Sequence, residues 1–241
     1  MKRKLYINMS SRRLFLLALL LATTFGARAQ DSVVGSFEAA LENHYFWRGQ
    51  DYGGSNASVT ADIGWKGLHF ELLGLALLSE NNPANEINLS FYYEWGDFSF
   101  GLTDYWFDTD NPNFFDFNVH KTGHVTEAFV EYDFGIVDVA WYTNVLGKDF
   151  NEEGDREWAS YLEITSGELE WATIRWQGQV GIAPWASEYY DNSHFAVTNL
   201  SLKASKEIVA TDRLSVPVSL TLSTNPDHGR TYCILGITLK L

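Results

Sequence analysis

The chain lacks the means to cross a membrane as helices or to staple itself internally. Past its first few dozen residues no stretch approaches the roughly 20 consecutive apolar residues a spanning helix needs. The longest such run, residues 72–78, already contains Gly74. A single cysteine, Cys233, excludes an internal disulfide, and its place on an apolar register reads as a small wall or lipid-facing residue. Positive charge is scarce: 17 Lys and Arg stand against 31 Asp and Glu, for a formal net charge of −14. Such acidity repels phosphate backbones and argues against a nucleic-acid partner. Pro/Ser-rich linkers, low-complexity tracts and long repeats are also missing, so one domain is the economical reading.

The basic residues that do occur are concentrated at the start. Lys2, Arg3, Lys4, Arg12 and Arg13 precede an apolar stretch over residues 14–21, and Ala27-Arg28-Ala29 supplies a small-x-small cleavage pattern. These features predict a signal peptide over residues 1–29 and an exported chain over residues 30–241. The leader holds six of the 17 bases and none of the 31 acids, which leaves 11 against 31, or −20, for the exported part.

What fills that part is alternation. Phe37, Ala39, Leu41, Tyr45 and Trp47 fall on one face of an extended chain, with Glu38, Glu42, His44 and Arg48 on the other. The same split recurs at Val59, Ala61, Ile63 and Trp65 against Ser58, Thr60, Asp62 and Lys66, and at Leu214, Val216, Val218, Leu220 and Leu222 against Ser215, Ser219, Thr221 and Ser223. It predicts strands at 36–48, 56–66, 68–78, 86–95, 97–107, 124–134, 136–146, 157–166, 171–183, 194–205, 213–223 and 230–241. Asp104 falls on an apolar register, which predicts a bulge or a strand end there.

Gaps between these segments alternate in length. Gly67, Gly96-Asp97 and Gly135 occupy minimal turns, where glycine accepts the positive φ of a tight hairpin. The intervening connections are longer and polar, notably residues 107–123 and 147–156. Because a bilayer requires every backbone hydrogen bond to be met within the protein, only helices or a closed sheet can span it. Helices being excluded, the pattern predicts an all-β, transmembrane, antiparallel up-and-down barrel of about 12 strands with short turns at one end and long loops at the other. Trp47, Trp65, Trp95, Trp106, Trp158, Trp171 and Trp185 lie near strand ends, as interfacial aromatics of such a barrel would.

Tyr45-Phe46-Trp47-Arg48-Gly49-Gln50 resembles the Y-x-[FW]-R-G opening of the TorF-like porin family, small bacterial outer-membrane proteins. The segments at residues 86–93 and 98–105 resemble that family's second and third hairpins, although Asn43-His44 stands where the family more often has Ser-Asp. The resemblance implies an outer-membrane barrel more firmly than any activity. The closing alternating strand, ending on Leu241 rather than the habitual Phe, is similar to the signal read by the barrel-insertion machinery.

The inward register is rich in acid: Glu38, Glu42, Asp62, Glu71, Glu94, Glu127, Glu131, Asp133, Asp138 and Glu163 against Arg48, Lys66, Arg175 and Lys203, with His44 beside them. As lumen-lining residues these would favour cations; paired across strands they would close a wall instead. Arg48 is expected to pair with a neighbouring carboxylate such as Glu42 or Asp62. Inward aromatics Phe46, Tyr92, Tyr105, Phe129, Tyr142 and Tyr161 are expected to fill volume.

The six histidines are scattered and no nucleophile motif surrounds any Ser, so neither catalytic nor metal-binding residues are expected and no cofactor is called for. Residues 149–155 and the acids at 108–116 imitate calcium loops without a complete ligand set. The expectation is a passive outer-membrane channel for small hydrophilic solutes or ions, mildly cation-preferring or neutral, with membrane lipid and the insertion machinery as its partners. The alternatives are a non-conducting barrel whose long loops bind a partner and, further off, a lipid-modifying enzyme.

Overall fold

The computed structural model describes residues 33–78, 84–211 and 214–240. The signal peptide expected over residues 1–29 and Leu241 therefore lie outside the described residues. Going along the chain, β1 (Val33–Glu42) is followed by a small hairpin of β2 (Tyr45–Trp47) and β3 (Gln50–Gly53). Next come β4 (Asn56–Trp65), β5 (Leu68–Leu77), β6 (Asn85–Trp95), β7 (Phe98–Phe107), β8 (His124–Asp133) and β9 (Val137–Gly147). The remainder is β10 (Ser160–Ser166), β11 (Leu169–Trp171), β12 (Ile174–Ala183), β13 (Ala196–Thr211), β14 (Leu214–Asn225) and β15 (Arg230–Lys240).

Apart from β2 and β3, which pair only with each other, all of these belong to one sheet in which nearly every strand neighbours the next in sequence. β1 pairs antiparallel with β15, and β10 with both β9 and β12, so the sheet closes on itself. β10 and β11 are one wall strand interrupted at Gly167 and Glu168. Between the pairs Thr165↔Gln179 and Leu169↔Trp176 this strand advances four residues while β12 advances three, which is a bulge. Counted together they give a closed antiparallel barrel of 12 strands, as the alternation predicts.

Two elements differ from expectation. The first wall strand ends at Glu42 rather than at residue 48, and residues 45–53 form the separate hairpin. The turn expected at residues 167–170 lies instead at Ala172 and Thr173, both with positive φ (54° and 63°), because the bulge at Gly167 lets the strand run on.

Side chains sort by parity. Leu41, Ile63, Phe70, Phe91, Phe100, Leu102, Leu202, Leu220, Leu235 and Ile237 are exposed on the outer surface. Cys233 is exposed in the same register. A continuous apolar belt of this extent is stable only against lipid, so the barrel spans a bilayer. Trp65, Trp95 and Trp171 are exposed at the short-turn end of the belt, with Trp158 and Trp185 exposed toward the long-loop end.

Asp104 sits in an unbroken register, opposite Leu89 and Thr126, and the bulge lies instead between β8 and β9 at Thr126/Glu127. The outward carboxylate near the loop end is satisfied locally: it accepts from Thr126 Oγ1 at 2.9 Å and lies 2.6 Å from His124 Nδ1. His124 Nε2 donates to the Phe114 carbonyl at 2.7 Å, which folds residues 108–123 back against the wall. Phe114 thereby covers Trp106, which is buried rather than interfacial.

Candidate functional site

The lumen has two tiers, and the first is made by the inward hairpin. Its turn is Arg48-Gly49, both at positive φ (51° and 90°), between the paired Trp47 and Gln50; this is the geometry of a two-residue type I′ turn. Glycine is required at position 49. A Cβ there would lie 2.0 Å from the Thr198 carbonyl oxygen, and Asn225 Nδ2 donates to the Gly49 carbonyl at 2.9 Å. The Arg-Gly pair thus seats a turn tip on β13 and β14.

Seated there, Arg48 reaches Glu127 of β8, not Glu42 or Asp62. The contact is bidentate: Nη1 to Oε2 at 2.5 Å and Nη2 to Oε1 at 3.1 Å. Arg48 Nη1 also donates to the Tyr190 hydroxyl at 2.9 Å, and the Tyr105 hydroxyl donates to Glu127 at 3.1 Å. Rings surround the guanidinium, with its Cζ 3.9 Å from the centre of Tyr142, 4.5 Å from Trp47 and 4.8 Å from Tyr161. Arg48 is 7% exposed and Glu127 0%. A planar, weakly hydrated cation stacked on rings and forked onto a carboxylate is the arrangement that compensates burial of both charges.

Around this pair the barrel is filled. Ala159, Tyr161, Ala183 and Tyr190 form a buried cluster with Tyr142 and Tyr189 against it. Gly181 makes room for Tyr161, whose hydroxyl would stand 1.6 Å from a Cβ at that position. Trp47, expected at the membrane interface, packs inside against Tyr52, Tyr105 and Tyr189. Beside the hairpin, His44 Nε2 lies 2.8 Å from Asp51, which also accepts from Tyr232 at 2.6 Å. Burial alone would raise the Asp51 carboxyl, but hydrogen bonds from Tyr232, the Gly53 amide and His44 outweigh it and hold it below the usual carboxylate range.

Toward the short turns the lumen is acidic and looser. Asp62 and Glu71 are directly opposite each other on β4 and β5, as are Asp133 and Asp138 on β8 and β9. Glu131 and Glu163 both flank Ala140. His69 bridges Asp62 at 3.0 Å and Glu94 at 3.4 Å. Arg175 lies 3.5 Å from Glu168 and 3.9 Å from Glu207, and Lys240 contacts Glu38 at 2.8 Å. Lys203 is exposed on β13, opposite Gln177 and Thr221. Glu42 takes a weak hydrogen bond from Asn56 at 3.4 Å. Lys66 does not face the lumen: it stands at a turn (φ 52°) with its ammonium 4.9 Å from the Trp65 ring. Tyr92, Phe129, Tyr142, Tyr161 and Tyr190 link the two tiers ring to ring.

Three participants escaped the sequence reading. Glu86 stands one step before Asn88 on the inward register of the strand predicted at 86–95, and Glu207 follows from lengthening the strand predicted at 194–205. Tyr190 comes from the loop at residues 184–195, where alternation gives no signal.

No protein-family model matches the chain, and no curated protein matches it. Among solved structures, it is similar to a NanC porin (9% identity, TM-score 0.47, covering 86% of this chain and 98% of that one). It is also similar to a bacterial polysaccharide outer membrane secretin (10% identity, TM-score 0.39, covering 86% and 97%). Likenesses of this degree carry neither family nor activity.

Proposed function

We propose that the protein is a passive channel of the bacterial outer membrane for small hydrophilic solutes or ions, with a mild cation preference and the Arg48 hairpin as its constriction. One observation carries the reading: the turn-side lumen gathers Glu38, Asp62, Glu71, Glu131, Asp133, Asp138 and Glu163, against the inward bases Arg175, Lys203 and Lys240 among the described residues. Like charges directly opposite one another destabilise a sheet unless water and counter-ions screen them, so this tier is built to be wet and to concentrate cations. Lipid surrounds the belt, and β15 is the strand that the insertion machinery would read.

Planar-bilayer recording of the refolded protein tests this. Small, discrete, cation-selective steps are expected, because the filled mouth restricts flow. Silence both from the native chain and from a variant lacking residues 44–54 overturns it.

The filled mouth favours a second reading, a non-conducting barrel whose long loops engage a partner. Removing the loops at 108–123 and 148–156 then abolishes binding while every form stays silent in bilayers. Catalysis has no part in either reading. Ser193 Oγ lies 3.1 Å from His194 Nδ1 and His194 Nε2 3.4 Å from Asp227, but the His194 side chain is 65% exposed. Water competes for each of those contacts, leaving no fixed base for a nucleophile.

A further inference from the structure

The long-loop end holds a cleft of about 340 Å³ beside the hairpin, separate from the Arg48–Glu127 pair. Its floor is aromatic, with Tyr45, Tyr52, Phe107 and Tyr189 among the lining residues, and the apolar Leu75 and Leu77 come from β5. Five carboxylates line it, those of Glu86, Asp110, Asp149, Glu157 and Glu188, against one ammonium, Lys148. Lys148 is already held by Asp110 at 3.0 Å. Asp149 is turned to the backbone, accepting from the Trp158 amide at 2.9 Å, with Arg156 at 3.7 Å.

Glu86 is different. It is 5% exposed and its hydrogen-bond partners are neutral donors, the Tyr45 hydroxyl at 2.7 Å and Asn88 Nδ2 at 2.8 Å. Among the described residues no Lys, Arg or His lies within ion-pair distance of it. Another residue lining the cleft, Tyr189, has its hydroxyl buried without a hydrogen-bond partner among the described residues. A buried carboxylate with no counter-charge, in a cleft that also holds an unpartnered hydroxyl, is the complement of a donor that is itself positive. Aromatic faces add attraction for a cation and cover for an apolar body.

We infer that this cleft binds a small organic ammonium compound, a protonated primary amine on an apolar or aromatic body. The amine is held by Glu86, and the body lies against Tyr45, Tyr52 and Leu75. A cleft of this size suits a ligand at the small end of what protein pockets take. The inference stands apart from conduction, since it concerns the barrel's outer mouth and needs no passage.

Three probes of one shape and different charge test it on the full-length protein refolded in detergent: phenethylamine, 2-phenylethanol and phenylacetate. Isothermal titration is expected to give saturable binding of phenethylamine, binding at least about tenfold weaker for the alcohol, and none for the acid. Glu86→Gln, which keeps acceptors for Tyr45 and Asn88, should weaken the amine about tenfold in protein whose heat-modifiable gel migration is native. Equal binding of amine and alcohol overturns the inference, as does failure of all three to saturate; neither outcome depends on whether Glu86→Gln folds. Amine binding with silence in bilayers from both the native chain and the variant lacking residues 44–54 removes the channel reading alone, and conductance without amine binding removes the ammonium site alone.

Discussion

The two ends of this lumen solve the same problem in opposite ways. Toward the loops, charge is buried, and there Arg48 and Glu127 meet in a fork, stacked and sealed by tyrosines. Toward the turns, charge is left in excess, with Asp62 opposite Glu71 and Asp133 opposite Asp138. The contrast teaches that one barrel wall can carry both a packed core and a tier of unneutralised acid. The difference lies in what stands between the strands: a hairpin and loop residues above, and the acidic side chains of the wall itself below.

Removing the insert has the largest expected effect. A variant with residues 44–54 replaced by a short Gly/Ser link keeps the 12-strand wall and loses the stopper. Single-channel conductance should rise severalfold, and unchanged conductance would mean that the loop-side filling is made by residues 184–195 alone.

Next in size is the ion pair. Arg48→Ala or Glu127→Ala strands one buried charge and should cost about 3–5 kcal/mol, read from urea unfolding of the refolded barrel. Replacing both, as Arg48→Met with Glu127→Leu, should recover most of that loss, since an apolar pair of similar volume needs no compensation. If the double variant is as unstable as the singles, the tyrosine hydroxyls rather than the charges hold the stopper.

Neutralising the lower tier should barely touch stability but change selectivity. With Glu71→Gln, Glu131→Gln and Asp138→Asn combined, the reversal potential in a salt gradient is expected to fall toward the non-selective value, with the effect fading at high salt as screening shortens the field. A reversal potential that does not move would place the selectivity in the loop-side mouth.

The smallest effect concerns the hairpin's base. Asp51 has a folded-state pKa below the unfolded value of about 3.9, so its stabilising contribution is complete above about pH 4 and is lost as pH falls through the lower folded value. Asp51→Asn should therefore flatten the acid limb of a stability-against-pH curve. An acid limb identical to that of the native chain would show that the Tyr232 and His44 contacts do not persist in solution.

Much of this was legible beforehand because strand parity is local. Whether Leu220 points out and Thr221 in depends only on the two-residue repeat, and lipid on one side makes the repeat visible in composition. The Arg-Gly pair was legible as a motif but not as a turn, since alternation carries straight through Trp47 and assigns Arg48 to the wall. Trp106 likewise reads as interfacial until the loop bearing Phe114 folds over it.

Period-two patterning and the absence of long apolar runs in residues 30–241 by themselves determine a closed, lipid-facing antiparallel barrel, because a bilayer admits so few alternatives. Only the tertiary structure decided that the first long connection turns inward, that Arg48 finds Glu127 and not a nearer acid, and that Glu86 is left with neutral company. Those outcomes join residues 79 and 41 positions apart in the chain, through contacts that no local pattern encodes.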